Sequence, residues 1–260
     1  MDWSRIFNIG LVPAYIEQNP NMDGRLITFI SIAAIIVTSL VAYLLGSLNF
    51  AILISRTKHD DIREHGSKNA GTTNMLRTYG KKMAVITLVG DFLKAVVAVL
   101  IGSFICMGMH GTYVAAFFCV LGHVFPIYYK FKGGKGIATA AGAILACGEW
   151  LVLLILLAIF AIIVIGTKYV SLASIMVALL YPVILQRFYI MRGWATAIDL
   201  IMAVAIALLV FCKHIPNLKR LLDHTERKVS FGKKKSESNG TEPAAEPAPK
   251  KSLHPDNDEE

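Results

Sequence analysis

Charge is scarce in this 260-residue chain: Asp, Glu, Lys and Arg supply 17% of it, against 55% hydrophobic residues. Soluble globular domains carry about 25% charged residues, so this shortfall, with a mean hydropathy of +0.57, excludes that class. Paired cysteines are missing too. Cys106, Cys119, Cys147 and Cys212 stand apart in apolar surroundings, with no C-x-x-C and no histidine at ligand spacing. That excludes a disulfide framework and a zinc finger, and neither metal nor cofactor is expected. The N-terminus lacks the short basic-then-apolar pattern and cleavage site of a signal peptide, so the first apolar helix is expected to remain.

What is present is a series of apolar blocks of bilayer-spanning length. They imply an all-α polytopic membrane protein of about seven transmembrane helices, with the N-terminus outside and the C-terminus cytoplasmic. The first span covers Leu26–Ser55 and is interrupted at Gly46-Ser47-Leu48-Asn49; the next two are Met83–Met107, with Asp91 and Lys94 at salt-bridge spacing, and Thr112–Tyr129. Ile137–Ile165 is counted as two crossings: one helix would run about 43 Å against a hydrocarbon core of about 30 Å, and Gly148-Glu149-Trp150 offers an external turn. Leu172–Leu185 and Ala195–Cys212 complete the set. The basic loop Arg56–Lys82 fixes the cytoplasmic side, which leaves Arg187–Arg192 outside, against the same rule. Residues 1–24 suit an external interfacial segment, 25–229 the transmembrane domain and 230–260 a disordered cytoplasmic tail. The net charge of +8 gathers between the apolar blocks, which points to anionic lipid and anionic substrate and away from nucleic acid.

Four polar sets carry the chemistry. Lys132-Gly133-Gly134-Lys135-Gly136, preceded by His123, Phe125 and Pro126, brings backbone N–H groups and ammoniums together where hydrocarbon meets water, as a phosphate requires. A flexible loop held inside by lysine, with a packed histidine, is the plainer alternative. Gly66-Ser67-Lys-Asn69-Ala-Gly71-Thr72-Thr73-Asn74, with Arg77 after it and Asp61-Ile-Arg63 before it, offers hydroxyls, amides and guanidinium forks. Thr72 stands where a nucleotide P-loop needs lysine, so that motif is rejected; a polar connector with turn glycines remains open. Ser171 and Ser174 open a helix where free N–H groups favour an anion, or serve as N-caps. Lys213-His214-Ile-Pro-Asn217-Leu-Lys-Arg220 closes the last helix as a fourth basic set, or as a topological anchor. The alternation of spans brings all four to one membrane face, which suits a phosphorylated substrate paired with a lipid-like one. A carrier for an organic phosphate is the rival reading, although its binding groups belong near the midplane, and a non-catalytic membrane scaffold is another.

These residues, from Gly46-Ser47 through the Gly66–Arg77 run, Asp91 with Lys94, Gly122-His-x-Phe-Pro, Phe-Lys-Gly-Gly-Lys-Gly136 and Ser171-Leu-Ala-Ser174, resemble the bacterial acyl-phosphate:glycerol-3-phosphate acyltransferases of the PlsY type. The likeness runs from about Leu44 to Arg227. It implies a seven-helix inner-membrane enzyme moving an acyl group from acyl phosphate to glycerol 3-phosphate, giving 1-acylglycerol 3-phosphate (lysophosphatidic acid) and phosphate, the first step of membrane phospholipid synthesis. The resemblance assigns Ser67, Asn69, Gly71, Thr73, Asn74 and Arg77 to a phosphate-binding loop and Lys132, Gly133, Gly134 and Lys135 to the acceptor loop, with His123 nearby. Ser171 and Ser174 form its third motif, and His214, Asn217 and Arg220 its closing segment. Ser67, Arg77, Lys132, His123 and His214 are the expected catalytic residues, the base being His123, His214 or the donor's own phosphate oxygen. A monomer is expected to suffice. Asn49 and Thr72 depart from the family, which often has proline and alanine there. None of the seven histidines is followed five residues later by Asp, the pattern of coenzyme-A-dependent glycerolipid acyltransferases.

Overall fold

The computed structural model describes residues 9–106, 111–193 and 197–229. Nine helices follow one another in these residues: α1 Leu11–Glu17, α2 Gly24–Gly46, α3 Phe50–Arg56, α4 Thr72–Cys106, α5 Gly111–Val124, α6 Ile137–Ala146, α7 Trp150–Thr167, α8 Val170–Arg192 and α9 Ala197–Leu222. Six of the described segments are long and apolar enough to cross a membrane. Large apolar side chains such as Phe29, Ile36, Leu88, Ile162 and Val183 are exposed on them, as lipid-facing residues must be in a bilayer solvent. The expected tail after Ser230, the turn at Gly108 and the start of the last span at Ala195 lie outside the described residues.

Several expected boundaries shift, each for a local reason. The break after Gly46 is real: Asn49 caps α3 by accepting from the Ile52 N–H at 3.1 Å and also donates to the Ala70 carbonyl at 3.3 Å, a pair of bonds that a proline there cannot make. The polar loop ends earlier than Lys82, because the Gly71 carbonyl accepts the N–H groups of Asn74 and Met75 and starts a helix at Thr72. That helix kinks at Gly80, whose φ of 80° and ψ of −175° are non-helical. Arg187–Arg192 is not a loop but the end of α8. The last helix passes Cys212 and Pro216 and stops at Leu222, so His214, Asn217 and Arg220 recur at three-residue spacing along it.

The helix α5 is the most buried of the six and packs against α2, α4 and α9, while α6 packs on α4 and α8 lies between α7 and α9. Small residues permit this: Ala42, Ala95, Ala98, Ala115, Ala116 and Cys119 are buried together, the composition that lets membrane helices approach closely. At the α2–α5 crossing a Cβ on Gly122 would lie 2.2 Å from the Tyr43 carbonyl, and one on Gly46 would lie 2.1 Å from that of Cys119.

The helix α6 has 10 residues and is about 15 Å long, half a hydrocarbon core. Its flanks nonetheless reach opposite ends of the bundle. Lys135, just before α6, bonds Asn217 near the end of α9. Glu149, just after it, pairs with Arg192 at the end of α8 at 3.2 Å and accepts from Tyr113 at the start of α5 at 3.5 Å, with Tyr189 donating to Tyr113 at 2.6 Å. Gly122→Ala is expected to lower the melting temperature in detergent by forcing α2 and α5 apart, at a cost of about 1–3 kcal/mol; an unchanged melting temperature would show that this crossing relaxes freely.

Candidate active site

Two loops and two helix ends converge. The first loop is shaped from below by Asn74, which is buried: its amide donates to the carbonyls of Ile62 at 3.0 Å and His65 at 2.9 Å, and its Oδ1 accepts from the Ser67 N–H at 2.9 Å. Its amide is therefore spent on the loop itself. The Ser67 and Thr73 hydroxyls, the Asn69 amide and the Arg77 guanidinium stand without hydrogen-bond partners among the described residues. Arg77 is exposed and an electrostatic neighbour of Glu226, Arg220 and Arg227. Behind the loop, Asp60 accepts from the Tyr79 hydroxyl and from His65 at 2.8 Å, and these bonds hold its carboxyl below the usual range.

Arg63 ties the first loop to the second. Its guanidinium forks onto Asp61 at 2.9 and 2.5 Å and donates onward to the carbonyls of Tyr129 at 3.1 Å and Lys132 at 3.3 Å. In the second loop Gly134 is wedged: its N–H donates to the His123 carbonyl at 3.1 Å, and a Cβ there would lie 2.2 Å from His123 Nε2 and 2.6 Å from the Ala70 carbonyl. Gly133 likewise abuts the His123 carbonyl. Lys132 is exposed. The His123 ring lies beneath, 4% exposed, with the Lys94 ammonium 2.9 Å from Nδ1.

The helix ends supply the rest. Lys135 donates to Asn217 Oδ1, and Asn217 Nδ2 donates to Glu226 Oε1 at 2.8 Å. The Ser171 hydroxyl reaches the same oxygen at 2.9 Å, and Arg220 Nε donates to Oε2 at 2.7 Å. A carboxylate is thus held by a hydroxyl, an amide and a guanidinium. Burial pushes the Glu226 carboxyl up, but the bonds from Asn217, Arg220 and Ser171 outweigh it and hold the group below the usual glutamate range. Burial lowers the Lys135 ammonium to about 8, opposed by Glu226 and reinforced by Arg220 and Arg77. Neither serine caps α8: its N-cap is Tyr169, and Ser174 bonds back to the Val170 carbonyl at 2.9 Å. His214 Nδ1 lies 2.8 Å from the Val210 carbonyl. A carbonyl only accepts, so Nδ1 carries the proton and Nε2 keeps the lone pair. Beside this cluster an apolar cleft runs between α6, α7, α8 and α9, lined by Ile137, Ala140, Leu153, Phe160, Tyr181 and Val210.

All sixteen expected site residues lie on the two loops or the adjoining helix ends. Glu226 is the residue that sequence reasoning overlooks. The available signal is an acid, with Asp223, set among Arg220, Arg227 and Lys228, which reads as solvated charge.

The fold and the site define a class: an all-helical, multi-pass integral membrane protein with a carboxylate held by a hydroxyl, an amide and a guanidinium near the ends of its helices. Residues 36–224 match the family model described as glycerol-3-phosphate acyltransferase. The glycerol-3-phosphate acyltransferase of Thermoanaerobacter sp. (strain X514) is 40% identical over 195 residues, 75% of this chain and 95% of that protein. The one from Coxiella burnetii (strain CbuG_Q212) is 39% identical over 199 residues, 76% of this chain and 100% of that protein. Among solved structures, PlsY (YgiH), an integral membrane glycerol 3-phosphate acyltransferase, superposes in its glycerol 3-phosphate form with a TM-score of 0.67 and 35% identity, over 75% of this chain and 96% of that one. Its lysophosphatidic acid form gives 0.64 and 34%, over 75% and 95%. This chain belongs to the glycerol-3-phosphate acyltransferase family and is a glycerol-3-phosphate acyltransferase.

Because Glu226 is held below its ordinary value of 4.5, the stability it contributes is present above that value and lost as pH falls through the lower folded one. Melting curves recorded in detergent should therefore show an acid-side loss that Glu226→Gln reduces; superimposable acid limbs would mean the carboxylate is not charge-stabilised in the fold.

Proposed function

We propose that the protein acylates the primary hydroxyl of glycerol 3-phosphate with acyl phosphate as donor, releasing lysophosphatidic acid and phosphate. The reaction takes place at the cytoplasmic face of a bacterial inner membrane, in a monomer with seven crossings, N-terminus out and C-terminus in. The observation that carries the reading is the oxyanion receptor: Ser171, Asn217 and Arg220 bind Glu226 in the same cluster that receives Lys135. Supporting the seven crossings, α6 begins beside the end of α9 and leads to Glu149 at the far end of α8. The basic segment Arg56–Lys82 supports the orientation.

Acyl phosphate is a mixed anhydride and needs no covalent enzyme intermediate. The acceptor oxygen attacks the acyl carbon, an ester C–O bond forms, and the bond from that carbon to the phosphate oxygen breaks. The hydroxyl proton passes to an oxygen of the departing phosphate. The acceptor's phosphate displaces the Glu226 carboxylate and takes its donors, Ser171, Asn217 and Arg220, with Lys135 beside them, while Arg77, Lys132, Ser67, Asn69 and Thr73 supply unspent donors for the donor's phosphate and the developing oxyanion. The apolar cleft beside Ile137 and Val210 takes the acyl chain. His123 is not the base, since its Nδ1 lone pair faces the Lys94 ammonium. His214 keeps Nε2 free beside Asn217 and orients the acceptor.

Full-length protein purified in detergent, given palmitoyl phosphate and glycerol 3-phosphate, should form lysophosphatidic acid; folded protein that forms none would end this reading. In the same assay His214→Ala should raise KM for glycerol 3-phosphate more than it lowers kcat. A kcat loss of about 10²–10⁴-fold at unchanged KM would instead mark His214 as the general base. With a Lys135 ammonium titrating at about 8, kcat/KM for glycerol 3-phosphate should fall above that pH. Lys135→Arg should move the limb upward; a limb unmoved by that substitution would assign it to another group.

A further inference from the structure

Beneath the two loops, within the apolar interior, lies a charged cluster that the proposed chemistry does not use. Asp91, Lys94 and His123 are 1%, 7% and 4% exposed. Charges so deep in a membrane protein are costly unless each is answered, and here each is. The Lys94 ammonium has three protons and three acceptors: the Leu48 carbonyl at 2.6 Å, Asp91 Oδ1 at 2.8 Å and His123 Nδ1 at 2.9 Å. Asp91 Oδ1 also accepts from the Phe50 N–H at 3.3 Å. An ammonium only donates, so His123 presents its Nδ1 lone pair to Lys94 and its Nε2 edge to Gly134.

The chain segments gathered by Lys94 are the ones from which the loops hang. Leu48 belongs to the break between α2 and α3, and its neighbour Asn49 bonds the Ala70 carbonyl in the first loop at 3.3 Å. His123 closes α5 and abuts Gly134 of the second loop, with Ala70 on the other side of the same glycine. One buried ammonium therefore fixes the floor under both loops at the point where they touch.

We propose that Lys94, through Asp91 and His123, is a positioning residue for glycerol 3-phosphate binding: it locks the His123 ring, which acts as the stop that seats Gly134 and hence Lys135. The inference rests on the assignment of Lys135 to the acceptor's phosphate. Lys94 touches no substrate, and its effect is on acceptor affinity rather than on donor affinity.

The test uses the full-length protein in detergent, with KM measured for each substrate and the dissociation constant of glycerol 3-phosphate measured alone by calorimetry. Lys94→Met alone strands a buried carboxylate and lowers stability. The Asp91→Asn/Lys94→Met double variant removes both charges and should fold. It should bind glycerol 3-phosphate about tenfold or more weakly, with KM for palmitoyl phosphate unchanged. His123→Asn keeps an acceptor for Lys94 but deletes the ring edge against Gly134, and should show the same selective loss at near-parental melting temperature. If the double variant does not fold, His123→Asn decides alone. Parental affinity for glycerol 3-phosphate in a folded His123→Asn or double variant, or an equal loss for both substrates, overturns the proposal. Failure of the parent protein itself to bind glycerol 3-phosphate would sink the underlying functional reading and leave the positioning geometry as architecture.

Discussion

Backbone that leaves the helical path inside hydrocarbon has to find its hydrogen-bond partners within the protein, and the architecture follows from how that is done. The break at Ser47–Asn49 leaves the Leu48 carbonyl and the Phe50 N–H, the first of α3, without helical partners. Lys94 answers the carbonyl and Asp91 the N–H. That solution brings two charges into the interior, which neutralise each other at 2.8 Å. A salt bridge that looks like a stability device is better understood as the means by which a bent chain is tolerated where α2, α4 and α5 meet.

The same economy shapes the site. Asn74 and Arg63 spend their polar groups on the loops and keep the shape, while the side chains of Ser67, Asn69, Thr73 and Arg77 have no hydrogen-bond partners among the described residues. At the other helix ends Glu226 closes a ring of donors that would otherwise place Lys135 and Arg220 together without a counter-charge. Like charges in a poorly solvated pocket repel strongly, and a resident carboxylate lowers that repulsion.

The long helices are legible in the sequence because their apolar blocks exceed what any core helix needs, and the break in the first is marked by its small and polar residues. The four polar sets and their common face are legible for the same reason, since alternation of crossings depends only on counting. The end of α9 is not: the basic set that opens at Lys213 reads as the close of the span, but Lys135 and Glu226 grip the turns beyond it at Asn217 and Arg220, and the helix runs on to Leu222. Glu226 is hidden because its partners stand 6, 9 and 55 positions away, spacings that no helical or strand pattern links. Asn74 shows the converse limit, because residue type names a hydrogen-bonding capacity without saying which neighbour uses it, here the backbone of its own loop.

The shortness of α6 has a consequence for the chain on either side of it. Ten residues span about half of a hydrocarbon core, so the links on either side of α6 supply the rest of the reach to the ends of α9 and α8, where Lys135 meets Asn217 and Glu149 meets Arg192. Non-helical chain therefore carries part of the distance between the two ends of the bundle, and its polar groups are answered from within: the Gly134 N–H by the His123 carbonyl, the Lys135 ammonium by Asn217.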